Sequence, residues 1–144
     1  MSADLHDTVA TRLRDVGQRY TDRRRDLVDR LAEAGAPVSI PELLEAPPRL
    51  AQSSAYRNLA VLEQAGVVHR VAAGGDYARF ELAEDLTEHH HHLICSSCGA
   101  VEDFTAPPGL ERALTRAVAE IASTHGFDAA QHRLDLIGRC ADCR

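Results

Sequence analysis

Two Cys-x-x-Cys pairs, Cys95/Cys98 and Cys140/Cys143, use every cysteine in the chain. Zinc takes four soft ligands in a tetrahedron, and two such turns supply four thiolates. In a reducing compartment, pairs at this spacing are read as metal ligands rather than disulfides. The set leaves no open coordination position, so the expected role is structural. Immediately upstream, "EHHHHLICSSCG" (Glu88 to Gly99) runs four histidines into the first pair. On a strand these side chains alternate, with His89 and His91 pointing one way and His90 and His92 the other. Each pair then needs partners from elsewhere. His132, expected in the last strand, and Glu111, opening a long helix, can join His89 and His91. His69 and Glu81, in or beside a hairpin, can join His90 and His92. Nitrogen- and oxygen-rich sets of this kind suit zinc, and less selectively ferrous iron, nickel or manganese. A set that includes His69 and Glu81 bridges two domains, so filling it fixes their relative orientation and works as a switch. The plain alternative for the histidine run is a solvated polar strand end.

The elements that must hold these residues follow from pattern. Residues 7–16 have a short helical pattern. A second helix starts after Thr21, carries Leu27, Val28 and Leu31 at helical spacing, and stops at Gly35. "SIPE" (39–42) has the form of a capping box for a third short helix, and "EAPPRLAQ" is a loop. "SSAYRNLAVLEQAG" is a helix with a Ser cap, ending at Gly66, its buried face marked by Ala55, Leu59 and Leu62. "VVHRVAA", "GGD" and "YARFELA" then form a β-hairpin. Helices followed by a hairpin make a winged helix-turn-helix, with the last helix as the recognition helix. Beyond the polar link "EDLTE", two short strands, a proline-opened helix and a final strand complete a second unit. The expected class is α+β: a winged helix-turn-helix domain over 1–83, a hinge over 84–88, and a small α/β dimerisation and metal-binding domain over 89–144.

The formal net charge is −6 and every cationic side chain is Arg, which argues against a general polyanion coat. Between Arg12 and Arg25, however, six Arg face two Asp, a local basic patch that fits a specific nucleic-acid contact. Ser53, Ser54, Tyr56 and Arg57 on the recognition helix can reach base edges or phosphate, and Arg19 can enter a minor groove. Tyr56 could equally cap the domain core. Arg23 to Arg25 are expected on a solvated helix face. No apolar run approaches a membrane span and no signal segment opens the chain, so a cytoplasmic protein without a membrane partner is expected. His-Glu-x-x-His, phosphate-loop, Gly-x-Ser-x-Gly and deaminase patterns are missing, so no enzyme and no small organic substrate is expected.

"RYT", "SSAYRNLAVLEQAGVVHR", "FEL", "HHHHLICSSCG" and the terminal Cys-x-x-Cys stand in an order that resembles the ferric uptake regulator family, dimeric metal-sensing transcription factors. The likeness covers nearly the whole chain. It implies a homodimer joined through the C-terminal domains, repressing from an AT-rich inverted-repeat operator when metal is bound. By position, Cys95, Cys98, Cys140 and Cys143 match the structural zinc ligands. His90, His92 and Glu81, with the position of His69, match the regulatory site between domains. His89, His91, Glu111 and His132 match a further site, and Arg19, Tyr56 and Arg57 match DNA contacts. The unbroken histidine run looks most like the zinc uptake regulators, implying regulatory Zn2+. An iron- or peroxide-responsive branch, with Fe2+ in the regulatory site, is the alternative within the family. Ala36 and Pro37 stand where many iron sensors carry a histidine, a place that His69 can take over. Outside it stands a zinc-stabilised DNA-binding module with no sensing role.

Overall fold

The computed structural model describes residues 2–45, 49–71 and 78–144. The "GGD" turn of the expected hairpin and the prolines of the expected loop lie outside these. Helix α1 (Ser2–Asp15) starts earlier than the expected pattern. Helix α2 (Asp22–Ala34) begins where Thr21 accepts a hydrogen bond from the Arg24 amide, and ends at Gly35, whose φ of 67° favours glycine. The capping box is present: the Ser39 amide donates to Glu42 and the Glu42 amide to Ser39 Oγ, at 3.3 and 3.4 Å. It opens helix α3 (Ile40–Glu45). The residues just before it form a short strand, β1 (Val38–Ser39), which the sequence pattern had not marked.

Helix α4 (Gln52–Gln64) corrects one expectation. Its N-cap is Ala51, without a side-chain cap, and Ser53 and Ser54 lie inside the helix. Strands β2 (Val68–Val71) and β3 (Arg79–Leu82) pair antiparallel, with His69 opposite Glu81, and β1 adds to the far side of β3. Among the described residues, thirteen buried apolar ones from α1, α2, α3, α4 and the hairpin form one core. A single 3₁₀ turn, Glu84–Leu86, occupies the expected polar link.

The second sheet has the order β5-β4-β6, built from β4 (His91–Cys95), β5 (Val101–Phe104) and β6 (Asp135–Gly138). β4 runs antiparallel to β5 and parallel to β6. His132 therefore precedes the last strand rather than lying in it. Helix α5 (Pro108–His125) opens on proline as expected, and none of its residues is buried. The sheets of the two halves meet where Val71 packs on Ile94 and Val101, and the Arg79 side chain donates to the Gly99 carbonyl at 2.8 Å. No helix among the described residues is long and apolar enough to cross a membrane.

Candidate metal centres and nucleic-acid interface

Among the described residues, ligand atoms converge in three groups, the atoms of each group lying within 4.8 Å of one another. The first is Cys95, Cys98, Cys140 and Cys143. Cys95 ends β4 and Gly138 lies beside it in β6, so the sheet itself brings the two pairs together. Each pair sits on a tight turn. Gly99, at φ 75°, lets the first one close with its amide on the Cys95 carbonyl. Cys98 and Cys140 sulfurs are 3.8 Å apart. Tetrahedral zinc with Zn–S bonds of about 2.3 Å needs sulfurs at roughly that spacing. The backbone amides of Cys140 and Cys98 pull the Cys95 thiol down to about 6. Crowding against Cys140 and the other thiols pushes Cys143 up to about 12. Four convergent sulfurs at this spacing are a donor set that fits zinc.

The second group joins both halves of the chain. It contains Glu81 from the wing hairpin with His90, His92 and Asp103 from the second sheet. Glu81 is buried, and its carboxylate meets His90 Nε2 at 3.0 Å and His92 Nε2 at 3.0 Å. Burial works to raise the Glu81 carboxyl, but hydrogen bonds from His69, His92 and His90 outweigh it and hold it far below the usual range. His92 is raised chiefly by its bond to Glu81. Burial, joined by the Glu81 charge, raises Asp103. Asp103 Oδ1 is buried without a hydrogen-bond partner among the described residues, 3.6 Å from His92 Nε2. Such an orphaned oxygen among convergent imidazoles and a carboxylate is what a bound cation would satisfy.

Asp103 was missed in the sequence; the β4–β5 register sets it opposite His92, and that register is not written in either strand alone. His69 Nε2 meets Glu81 at 2.7 Å, on the same carboxylate oxygen that His92 Nε2 meets at 3.0 Å, and is not one of the four residues whose ligand atoms converge. The cross-strand register sets His69 opposite that carboxylate.

The third group is the expected one: His89, His91, Glu111 and His132. Three imidazole Nε2 atoms surround one carboxylate, at 2.8 Å from His89, 2.8 Å from His91 and 2.7 Å from His132. Hydrogen bonds from His91, then His89 and His132, draw the Glu111 carboxyl down to about 2. The alternation expected of the histidine run holds, even though β4 itself starts only at His91.

On α4, Ser53, Tyr56 and Arg57 are exposed and share one helix face, and Tyr56 does not cap the core. Ser54 is turned away from that face, buried, accepting from Arg23 at 3.3 Å and from Asn58 at 3.2 Å. Its place is thus inside the domain, and its expected contact with nucleic acid is corrected to a positioning one. Arg24 donates to Asn58, to Gln18 and, at 2.6 Å, to the carbonyl of Arg19, tying α4 to the loop that carries the exposed Arg19. Arg25 lies over the Tyr20 ring. All three consecutive arginines therefore hold the head together rather than only facing solvent.

A winged helix-turn-helix head, a thiol-knotted second sheet and a cluster shared between them define a metal-binding DNA regulator. The model of the ferric uptake regulator family matches residues 15–137. The ferric uptake regulation protein of Campylobacter jejuni is 34% identical over 137 residues, covering 91% of this chain and 83% of that one. The peroxide operon regulator of Bacillus subtilis is 30% identical over 145 residues, covering 97% and 93%. The crystal structure of the Vibrio cholerae ferric uptake regulator aligns with a TM-score of 0.68 at 28% identity, covering 89% of this chain and 96% of that one. The chain belongs to the ferric uptake regulator family. It is a metal-responsive transcription regulator, not an enzyme, and the regulators of this family are DNA-binding dimers.

Proposed function

We propose that this protein is a cytoplasmic, zinc-responsive repressor of metal-uptake genes, binding an AT-rich inverted-repeat operator as a homodimer. The observation that carries this reading is the inter-sheet cluster, in which a wing carboxylate, Glu81, meets His90, His92 and Asp103 of the second sheet. A divalent cation there supplies the positive charge that holds two carboxylates and two imidazoles together. The residues do the rest. Glu81 carries the wing and, through the shared core, α4; His90 and His92 are fixed by β4 and its approach. Holding Glu81 against them fixes the angle between head and dimerisation unit, and so the spacing of two heads on an operator. Ser53, Tyr56 and Arg57 then face a major groove and Arg19 the neighbouring minor groove.

Dimerisation through the second half is supported by its surface. Helix α5 buries nothing, while Ile121 is 59% and Ile137 73% exposed, apolar area that a partner copy would cover.

A second reading has its own support. Asp103 makes the cluster half carboxylate, a donor set that favours ferrous iron or manganese more than an all-histidine set would. The likeness to a peroxide regulator points the same way. The deciding measurement is DNA binding by chelator-treated protein to fragments of its own genome at fixed salt, across buffered free Zn2+ and then anaerobic Fe2+. Tight, sequence-specific binding that appears at very low free Zn2+ is the expected result. A response to Fe2+ alone would move the protein to the iron or peroxide branch. Binding unchanged by either metal would leave a zinc-stabilised module without sensing.

The two candidates for the fourth ligand separate cleanly. Asp103→Ala is expected to weaken Zn2+ binding at this cluster by more than His69→Ala, because Asp103 converges on the site whereas His69 only buttresses Glu81. Outer partners of this kind are worth on the order of 10–100-fold, and a ligand more. Chelator competition on the two variants reads the difference, and a larger loss from His69→Ala would restore His69 as the ligand.

A further inference from the structure

We propose that Glu84 is a positioning residue that couples the dimerisation-half cluster to the DNA-binding head, acting through His89. The inference rests on the reading that His89, His91, Glu111 and His132 hold a divalent cation. The 3₁₀ turn that carries Glu84 is fastened to the head in three ways. The Ala83 amide donates to the Val67 carbonyl at 2.8 Å, Leu86 packs on the head core, and the Asp85 carboxylate pairs with the Arg12 guanidinium of α1. Arg12 is itself held by the Gly66 carbonyl at 2.7 Å. From the other side of the same turn, the Glu84 carboxylate meets Nδ1 of His89.

His89 therefore stands between two carboxylates. Its Nε2 lies 2.8 Å from Glu111, at the centre of the cluster, and its Nδ1 lies on Glu84. With the Nδ1–H donating to Glu84, the Nε2 lone pair is fixed toward the cation and made more basic. His91 has no such support: its Nδ1 is buried without a partner among the described residues. The carboxylate that orients His89 is thus carried by a turn that moves with the head. Any arrangement that draws the turn away weakens the cluster, and by reciprocity a filled cluster favours the arrangement in which Glu84 is in place.

The test uses the full chain. Zn2+ affinities are taken by chelator competition on wild type, Glu84→Gln, Glu84→Ala, Asp85→Ala and His132→Ala, with the imidazole nitrogen spectrum of His89 followed in parallel. In Glu84→Ala one zinc equivalent, the one that His132→Ala also weakens, is expected to bind on the order of 10–100-fold less tightly. The His89 Nδ1–H signal should shift and the other zinc equivalents should stay unchanged. Glu84→Gln, which keeps an acceptor without the charge, should fall between. Asp85→Ala, which touches no ligand, should weaken the same zinc by about 5-fold or more if the turn transmits head position. Wild-type affinity and an unshifted His89 signal in both Glu84 variants overturn the positioning role, and an unchanged Asp85→Ala overturns the coupling. His132→Ala reports on the underlying reading: if it binds every zinc equivalent with wild-type affinity, the cluster holds no metal and both fall together.

Discussion

Cys95→Ser is expected to release one zinc equivalent and to unfold the second half of the chain while the winged helix stays folded. The reason lies in how unevenly apolar burial is distributed. Among its described residues the head has thirteen buried apolar ones in one cluster. Among the described residues of the second half, the buried apolar set is Ile94, Cys95, Val101 and Ala106, and α5 contributes nothing to it. Burying a large aliphatic side chain stabilises by about 1.5–3 kcal/mol, so this core alone falls short of the entropy cost of ordering its strands. Structural zinc contributes on the order of 10–16 kcal/mol in small metal-folded units. Cys95 is the sensitive ligand because it is 3% exposed, ends β4, and accepts the Cys140 amide at 3.3 Å. Elemental analysis should show the missing zinc. Amide exchange should show β4, β5 and β6 losing protection while α2 and α4 keep theirs. A variant that retains protection in β4 and β6 would mean that the thiol set is not what holds this sheet.

Most of the architecture could be read in advance because its signals are local. Thr21, Gly35 and the Ser39–Glu42 box act within a single turn of chain, and the alternation of the histidine run follows from strand geometry. The two-residue strand β1 could not be read this way. Its pairing with Arg79 and Phe80 is set by tertiary packing, and two residues carry no period. The start of α4 was misplaced because "SS" looks like a cap, whereas the helix gains more from turning Ser54 inward to Arg23 and Asn58. The same difference in range separates the two predicted clusters. The set around Glu111 is complete because each ligand type was visible and α5 begins where its proline lies. The set around Glu81 lacked Asp103 because the β4–β5 register is not written in either strand alone. His69 looked like a ligand for its chemistry, and only the cross-strand register shows that it stands opposite Glu81.

His92→Ala is expected to abolish the metal dependence of DNA binding without unfolding the protein. His92 is buried and lies within reach of three carboxylates. Its Nε2 meets Glu81, its Nδ1 lies 3.3 Å from Asp135 of β6, and Asp103 stands opposite it across β4 and β5. Removing the ring takes away one donor to the cation and, with it, the support that β6 gives to that donor. It also leaves the Glu81 and Asp103 carboxylates facing each other, which opposes the closed arrangement of wing and second sheet. The thiol set is separate from this cluster, so a cation bound there is expected to remain. Metal-linked couplings between sites are typically 5–150-fold, and the expected result is that a gain of about this size in DNA affinity on metal loading disappears. Fluorescence anisotropy on one operator fragment at fixed salt measures it, with a thermal melt to confirm that the fold persists. If the variant still responds to zinc at the wild-type midpoint, the inter-sheet cluster is not the switch. The response must then arise at His89, His91, Glu111 and His132, whose connection to the head runs through Glu84.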